Sequence, residues 1–192
     1  TDIDDNNNNL IDIRTLADLD EVRNNLAATS FYGFTTGCLT TCVGFELLND
    51  LDFDTSADGI VDDKDAYWNG GLGWQRIGYS VVGAEQPFAF AVEFNGNNHT
   101  ISNLTINRPT ESLASLFGRT HTGANISNLT LDKVNITGRY YAGSLAGSLE
   151  FSEVNNVTAQ GNITGRGAIG GLLGGSENSS YASLAFIGQV SG

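Results

Sequence analysis

Apolar and polar residues alternate in short runs along the second half of the chain, and the runs recur. Ile126-Ser-Asn-Leu129-Thr130 returns as Val154-Asn-Asn-Val157-Thr158 and as Tyr181-Ala-Ser-Leu184-Ala185, at steps of 28 and 27 residues. An earlier copy, Ile101-Ser-Asn-Leu104-Thr105, lies 25 residues before the first. A second register gives Leu116-Phe117-Gly118, Leu145-Ala146-Gly147 and Leu172-Leu173-Gly174. A third gives Gly161-Asn-Ile163-Thr-Gly165 and Gly188-Gln-Val190-Ser-Gly192, after Val134-Asn-Ile136-Thr-Gly138. Three registers sharing one period predict an all-β solenoid of about 27 residues and three short strands per coil. Within a coil Leu129 and Leu131, then Val134 and Ile136, alternate so that one face looks inward. Such a strand buries its inner face only by stacking on its equivalent in the next coil, about 4.8 Å away. The repeated Asn and Thr suit that stack, because like side chains form ladders and Asn tolerates left-handed bends.

Before residue 99 the pattern changes. Thr15-Leu-Ala-Asp18 has the form of a capping box, and Leu16, Leu19, Val22 and Leu26 follow at helical spacing. The spacing predicts a helix over 16–27, set as a cap on the first coil, whose edge and core otherwise lie open. Phe45, Leu47, Leu51 and Phe53 then alternate as the first strand. The chain divides into an N-terminal capping segment, 1–98, and solenoid repeats, 99–192, as one continuous folding unit.

These repeats carry a resemblance. Ser115-Leu-Phe-Gly118, Gly143-Ser-Leu-Ala-Gly147 and Gly170-Gly-Leu-Leu-Gly174 resemble the GLUG repeat of large secreted bacterial surface proteins and some secreted peptidases, where it lies outside the catalytic domains. The stretches Asp50-Leu-Asp-Phe-Asp54, Asp65-Ala-Tyr-Trp-Asn-Gly-Gly71 and Phe94-Asn-Gly-Asn-Asn-His-Thr-Ile-Ser-Asn-Leu104 resemble the leader that precedes such repeats. The resemblance implies a β-solenoid at a secreted or cell-surface location and says little about activity.

Charge sharpens the reading of the first third. The net charge is −13, and residues 1–65 hold 15 acids against Arg14, Arg23 and Lys64. A nucleic-acid binder is biased the other way. So dense an acidic block calls for counter-charge, and a divalent cation supplies it. The spacing agrees in Asp54-Thr-Ser56-Ala-Asp58-Gly59-Ile60-Val-Asp62-Asp63-Lys64-Asp65. Asp54, Ser56, Asp58, the Ile60 carbonyl, Asp62 and Asp65 give the oxygen shell a hard cation needs, and Gly59 permits the sharp turn. The loop resembles the calcium loops of EF-hands and dockerin modules, with Asp65 where EF-hands carry Glu. Asp4, Asn6, Asn8, the Leu10 carbonyl and Asp12 fit the same template less completely, because Thr15 falls where the last acid belongs.

Other chemistry is sparse. Cys38 and Cys42 form a single close pair, which predicts a disulfide-closed loop in an oxidising compartment. Tyr67, Trp68 and Trp74 could stack on sugar rings or fill the end of the core. Gly165-Arg-Gly167-Ala-Ile-Gly170 matches a dinucleotide fingerprint by letters, but it opens no helix and falls inside the repeat. The few carboxylates of the repeats (Glu111, Asp132, Glu150, Glu153, Glu177) are scattered, which argues against a glycosidase or lyase. The expectation is a non-enzymatic, calcium-stabilised extracellular structural or adhesin module. The alternatives are a carbohydrate-binding module or a non-catalytic piece of a secreted hydrolase. No run is apolar enough to span a membrane. The last register closes at Gly192, which predicts that further repeats or another copy of the chain covers the C-terminal edge.

Overall fold

A computed structural model describes residues 3–34, 37–79 and 88–192. The chain is a parallel β-solenoid with one short helix. The first coils carry β1 (Leu10–Ile13), α1 (Leu16–Glu21), β2 (Gly44–Leu47) and β3 (Leu51–Asp52). Next come β4 (Glu93–Asn95), β5 (Thr100–Ser102), β6 (Thr105–Asn107) and β7 (Phe117–Arg119). The later coils carry β8 (Asn125–Thr137), β9 (Tyr140–Ala142), β10 (Ala146–Glu150), β11 (Glu153–Thr164), β12 (Gly167–Ile169), β13 (Leu173–Glu177) and β14 (Ser180–Ser191).

The main sheet runs β1-β2-β4-β8-β11-β14, all parallel. Its register gives the period directly: Asn125 pairs with Glu153 and Glu153 with Ser180, steps of 28 and 27. A second sheet stacks β7, β10 and β13, with Ala146 opposite both Phe117 and Leu173. The Leu-x-Gly triplets therefore lie in one ladder. Their glycines sit where another stretch of backbone passes: a Cβ at Gly147 would come within 2.7 Å of Leu113 Cα, and one at Gly174 would strike the Tyr141 backbone.

The corners explain the Asn content. Asn128, Asn156 and Ser183 occupy equivalent places, all left-handed, with φ of 54°, 51° and 55°. Asn tolerates that region better than most residues. The side chains also form a ladder: Asn156 Nδ2 donates to Asn128 Oδ1 at 2.9 Å, and Asn128 Nδ2 to Asn95 Oδ1 at 3.1 Å.

Two features of the N-terminal third differ from the expectation. The ladder begins at β1, ahead of Phe45, because Leu10–Ile13 pairs in register with Gly44–Leu47. The helix is shorter than 16–27. It starts at the capping box, with Thr15 and Asp18 bonded reciprocally, and passes into a 3-10 turn at Val22–Asn24. Asn25 ends it. Its amide donates to the Ser30 carbonyl and accepts from Thr29 N at 3.2 Å, and this local bonding competes with further helix. Leu16, Leu19 and Val22 are buried in the one core cluster, which runs from Ile3 to Leu172.

Candidate metal centre

The 54–65 loop leaves the solenoid directly after β3. Its backbone is shaped by two carboxylates. Asp54 Oδ1 accepts from Asp58 N at 3.2 Å and Oδ2 from Gly59 N at 2.7 Å. Asp65 Oδ1 accepts from Ser56 N at 2.8 Å and Oδ2 from Asp62 N at 2.8 Å. These amides hold the Asp65 carboxyl below the usual aspartate range, against a smaller effect of burial. Ala57 and Gly59 turn the chain with φ of 57° and 89°. Ser56 Oγ donates to Asp54 Oδ1 at 3.2 Å, and Asp58 Oδ1 accepts from Ile60 N at 3.2 Å. The loop thus ties Asp54, Ser56, Asp58, Asp62 and Asp65 to one another mainly through backbone amides, and the Ile60 side chain points to solvent. The Lys64 ammonium stands between Asp58 and Asp62, at 2.5 and 3.4 Å, and holds the Asp58 carboxyl below its usual range. Sequence spacing gave no hint of this lysine bridge.

The residues before β1 adopt the same turn. Asn7 and Asn9 have φ of 58° and 70°, matching Ala57 and Gly59. Asp4 accepts from Asn8 N and Asn9 N at 3.0 and 2.8 Å, as Asp54 does from Asp58 and Gly59. Asn8 Oδ1 accepts from Leu10 N at 2.8 Å, as Asp58 does from Ile60. Asp12 Oδ2 accepts from Asp5 N at 2.8 Å and from Arg14 at 2.6 Å, and Arg14 also reaches Asp5. Asp12 and Glu46 are both buried and face each other. Burial pushes the Asp12 carboxyl above the usual range, and the Glu46 charge adds to the rise against the pull of Asp5 N and Arg14. Glu46 Oε1 accepts from Asn6 Nδ2 at 2.6 Å and Asn8 Nδ2 at 2.9 Å. Glu46, on β2, escaped the sequence reading because only the fold brings it to the loop.

Among the described residues no three Asp, Glu, His or Cys side chains already surround one point as metal ligands. In both loops nitrogen donors stand among the oxygens: the Lys64 ammonium in one, the Asn6 and Asn8 amides in the other. The donor set, carboxylate with amide or hydroxyl oxygen, suits a hard divalent cation and not a soft one.

The remaining predicted residues separate. Cys38 and Cys42 are joined in a disulfide with Cα atoms 5.4 Å apart. Trp74 is 1% exposed and packs edge-on against Phe53 and Tyr67, with centroids at 5.2 and 5.4 Å. The Arg23 guanidinium lies over its ring at 4.7 Å. Trp74 is therefore a core residue and offers no face to a sugar, because Phe53, Tyr67 and Arg23 cover its ring. Tyr67 and Trp68 are half-buried. Trp68 lines a shallow groove with Ile60, Val61 and Thr105.

The fold and the two loops define a parallel β-solenoid with acidic turn loops on its N-terminal coils. No family model matches the chain. It is similar to Halomucin of Haloquadratum walsbyi, 37% identical over 94 residues. That stretch is 49% of this chain and 1% of the relative, so the chain spans only a small fraction of that protein. Among solved structures it is similar to the crystal structure of a "putative immunoglobulin A1 protease" from Bacteroides ovatus. The identity is 16% and the TM-score 0.43, over 93% of this chain and 67% of that one.

Proposed function

We propose that this chain is a calcium-stabilised structural segment of a secreted or cell-surface protein, a non-enzymatic adhesin-type module. The observation that carries the reading is the 54–65 loop. Its turn is pre-formed by Asp54 and Asp65, and it carries four carboxylates at ligand spacing on a segment with few bases. Calcium enters by displacing the Lys64 ammonium from between Asp58 and Asp62. Extracellular placement is supported by the disulfide, which persists in oxidising compartments. Among the described residues no helix is long and apolar enough to cross a membrane. The match to a short stretch of a far longer protein fits a segment of a repeat array, and so does the resemblance to GLUG repeats. Among the described residues β14 pairs on one side alone, with β11, and leaves Tyr181, Ile187 and Val190 exposed.

The test is thermal unfolding in calcium and in chelator. Binding to the native state alone adds about 2.7 kcal/mol at a hundredfold excess over Kd. Melting is expected to rise with calcium, and Asp58→Ala to blunt the rise. Equal melting in both buffers overturns the proposal.

A second reading, carbohydrate binding, is favoured by one groove of about 600 Å³. Tyr140 and Tyr141 line it half-exposed, beside Ser148, Glu177 and the Arg119–Glu150 ion pair at 2.5 Å. Rings flanked by hydroxyl and carboxylate groups can hold a neutral sugar. A glycan array separates the two readings: hits lost in Tyr141→Ala support this one, and a blank array removes it.

A further inference from the structure

The N-terminal loop repeats the backbone of the 54–65 loop but lacks its final acid, since Thr15 stands twelfth and turns instead to cap α1. The fold supplies a replacement. Glu46 comes from β2, one coil on, and is 2% exposed. Its Oε1 is the common acceptor for the two asparagines at the third and fifth loop places, Asn6 and Asn8. Its Oε2 accepts from Asn97 Nδ2 at 2.6 Å, which fixes the carboxylate from the far side.

A second observation points to something between the loop and Glu46. The Asp12 side chain is wholly buried, and among the described residues no N–H or O–H donor reaches its Oδ1. This carboxyl lies against that of Glu46. Two buried carboxylates set face to face repel, and the bare oxygen adds the cost of an unsatisfied polar group. Arg14 answers only the other oxygen, Oδ2. A divalent cation resolves both problems at once, because it binds oxygens of both groups and has no need of a donor proton.

We propose that Asp4, Asn6, Asn8 and Asp12 bind a second calcium ion together with Glu46. The ion ties the segment before β1 to the second coil, so it acts as a clamp across two rungs of the ladder. The Asn6 and Asn8 amides, whose NH2 groups meet Glu46, turn their oxygens to the ion when it enters. The inference rests on the calcium reading of the chain but on carboxylates separate from those of the 54–65 loop.

The competing arrangement is a proton shared by Asp12 and Glu46. Calorimetric calcium titration of the full chain decides between them. Wild type is expected to bind two ions. Glu46→Gln keeps the shape and the contacts to Asn97 and is expected to lose one ion, or to bind it at least tenfold more weakly. Asp12→Asn serves as the second variant and is expected to do the same. Asp58→Ala is expected to lose the other ion only. A single ion that disappears in Glu46→Gln and survives in Asp58→Ala supports this site and sinks the reading of the 54–65 loop. A folded Glu46→Gln or Asp12→Asn chain with wild-type stoichiometry and affinity overturns the clamp and leaves the shared proton.

Discussion

The coils after residue 125 and those before it reach the same stack by different means. In the later coils β11 pairs with β8 and β14 over nearly its whole length, with one register shift near Ala159. Their core is aliphatic: Ile126, Leu129, Val134, Val154, Val157 and Ile163. In the earlier coils the strands are two to four residues long, and a helix, a disulfide loop and an acidic loop interrupt them. Their core mixes aliphatic residues such as Ile11, Leu19 and Ile101 with large rings, and Phe45, Phe90, Phe94, Phe117 and Trp74 are fully buried. A long ladder of equivalent residues holds itself together, because every residue adds the same pairing as the last. Broken coils lack that repetition and rely on large rings, a covalent link and, on our proposal, ions.

That contrast is most sharply broken at the ring cluster. Phe117 packs on Phe90 and Phe94 with centroids at 4.8 and 5.2 Å, where the ring-bearing coils meet the later ones. Phe117→Ala is expected to cost about 3–5 kcal/mol in denaturant unfolding, in line with large-to-small core changes. A cost under about 1 kcal/mol would mean that the rings are not what holds the early coils.

The later coils are tested at their bulge. Gly161 has φ of 146°, and a Cβ there would strike the Val134 carbonyl of the coil below. Gly188, the next rung up, repeats the conformation with φ of 152°. Gly161→Ala is expected to cost about 1–3 kcal/mol through backbone strain and displaced pairing. An unchanged denaturation midpoint would show that the stack tolerates a side chain at this step.

The smallest effect lies at the junction between the regions. Glu111 bonds Arg76 and Arg108 at 3.0 and 2.9 Å. Burial opposes its charge, but the two guanidinium groups outweigh burial and hold the carboxyl below the usual glutamate range. A folded-state pKa below the unfolded one contributes stability above the unfolded value, and that contribution is lost as pH falls through the folded value. Glu111 is substantially exposed, so the effect is small. Melting in chelator is expected to fall slightly more steeply below pH 5 in wild type than in Glu111→Gln. Parallel pH profiles would remove Glu111 from the account.

The residues legible in the sequence are those whose partners are near or periodic. The repeat registers, the Asn bends, the capping box and the cysteine pair all follow from local chemistry or a fixed step. Glu46 was not legible, because nothing in its own surroundings, Gly44–Leu47, marks it as anything but a strand residue. Trp74 was ambiguous for the same reason: its burial depends on Phe53, Tyr67 and Arg23, which the fold brings to it. β1 is not legible because Leu10 and Asp12 also fit the loop template, and only the pairing with β2 shows them as strand too.

Hydrogen exchange with and without calcium tests whether ions hold the broken coils. Amides of β1 and β2 are expected to exchange slowly in calcium and much faster in chelator. Amides of β8 and β11 are expected to keep their protection in both, because their ladder needs no ion. Equal protection of β1 and β2 in calcium and chelator would contradict the claim that ions hold the broken coils.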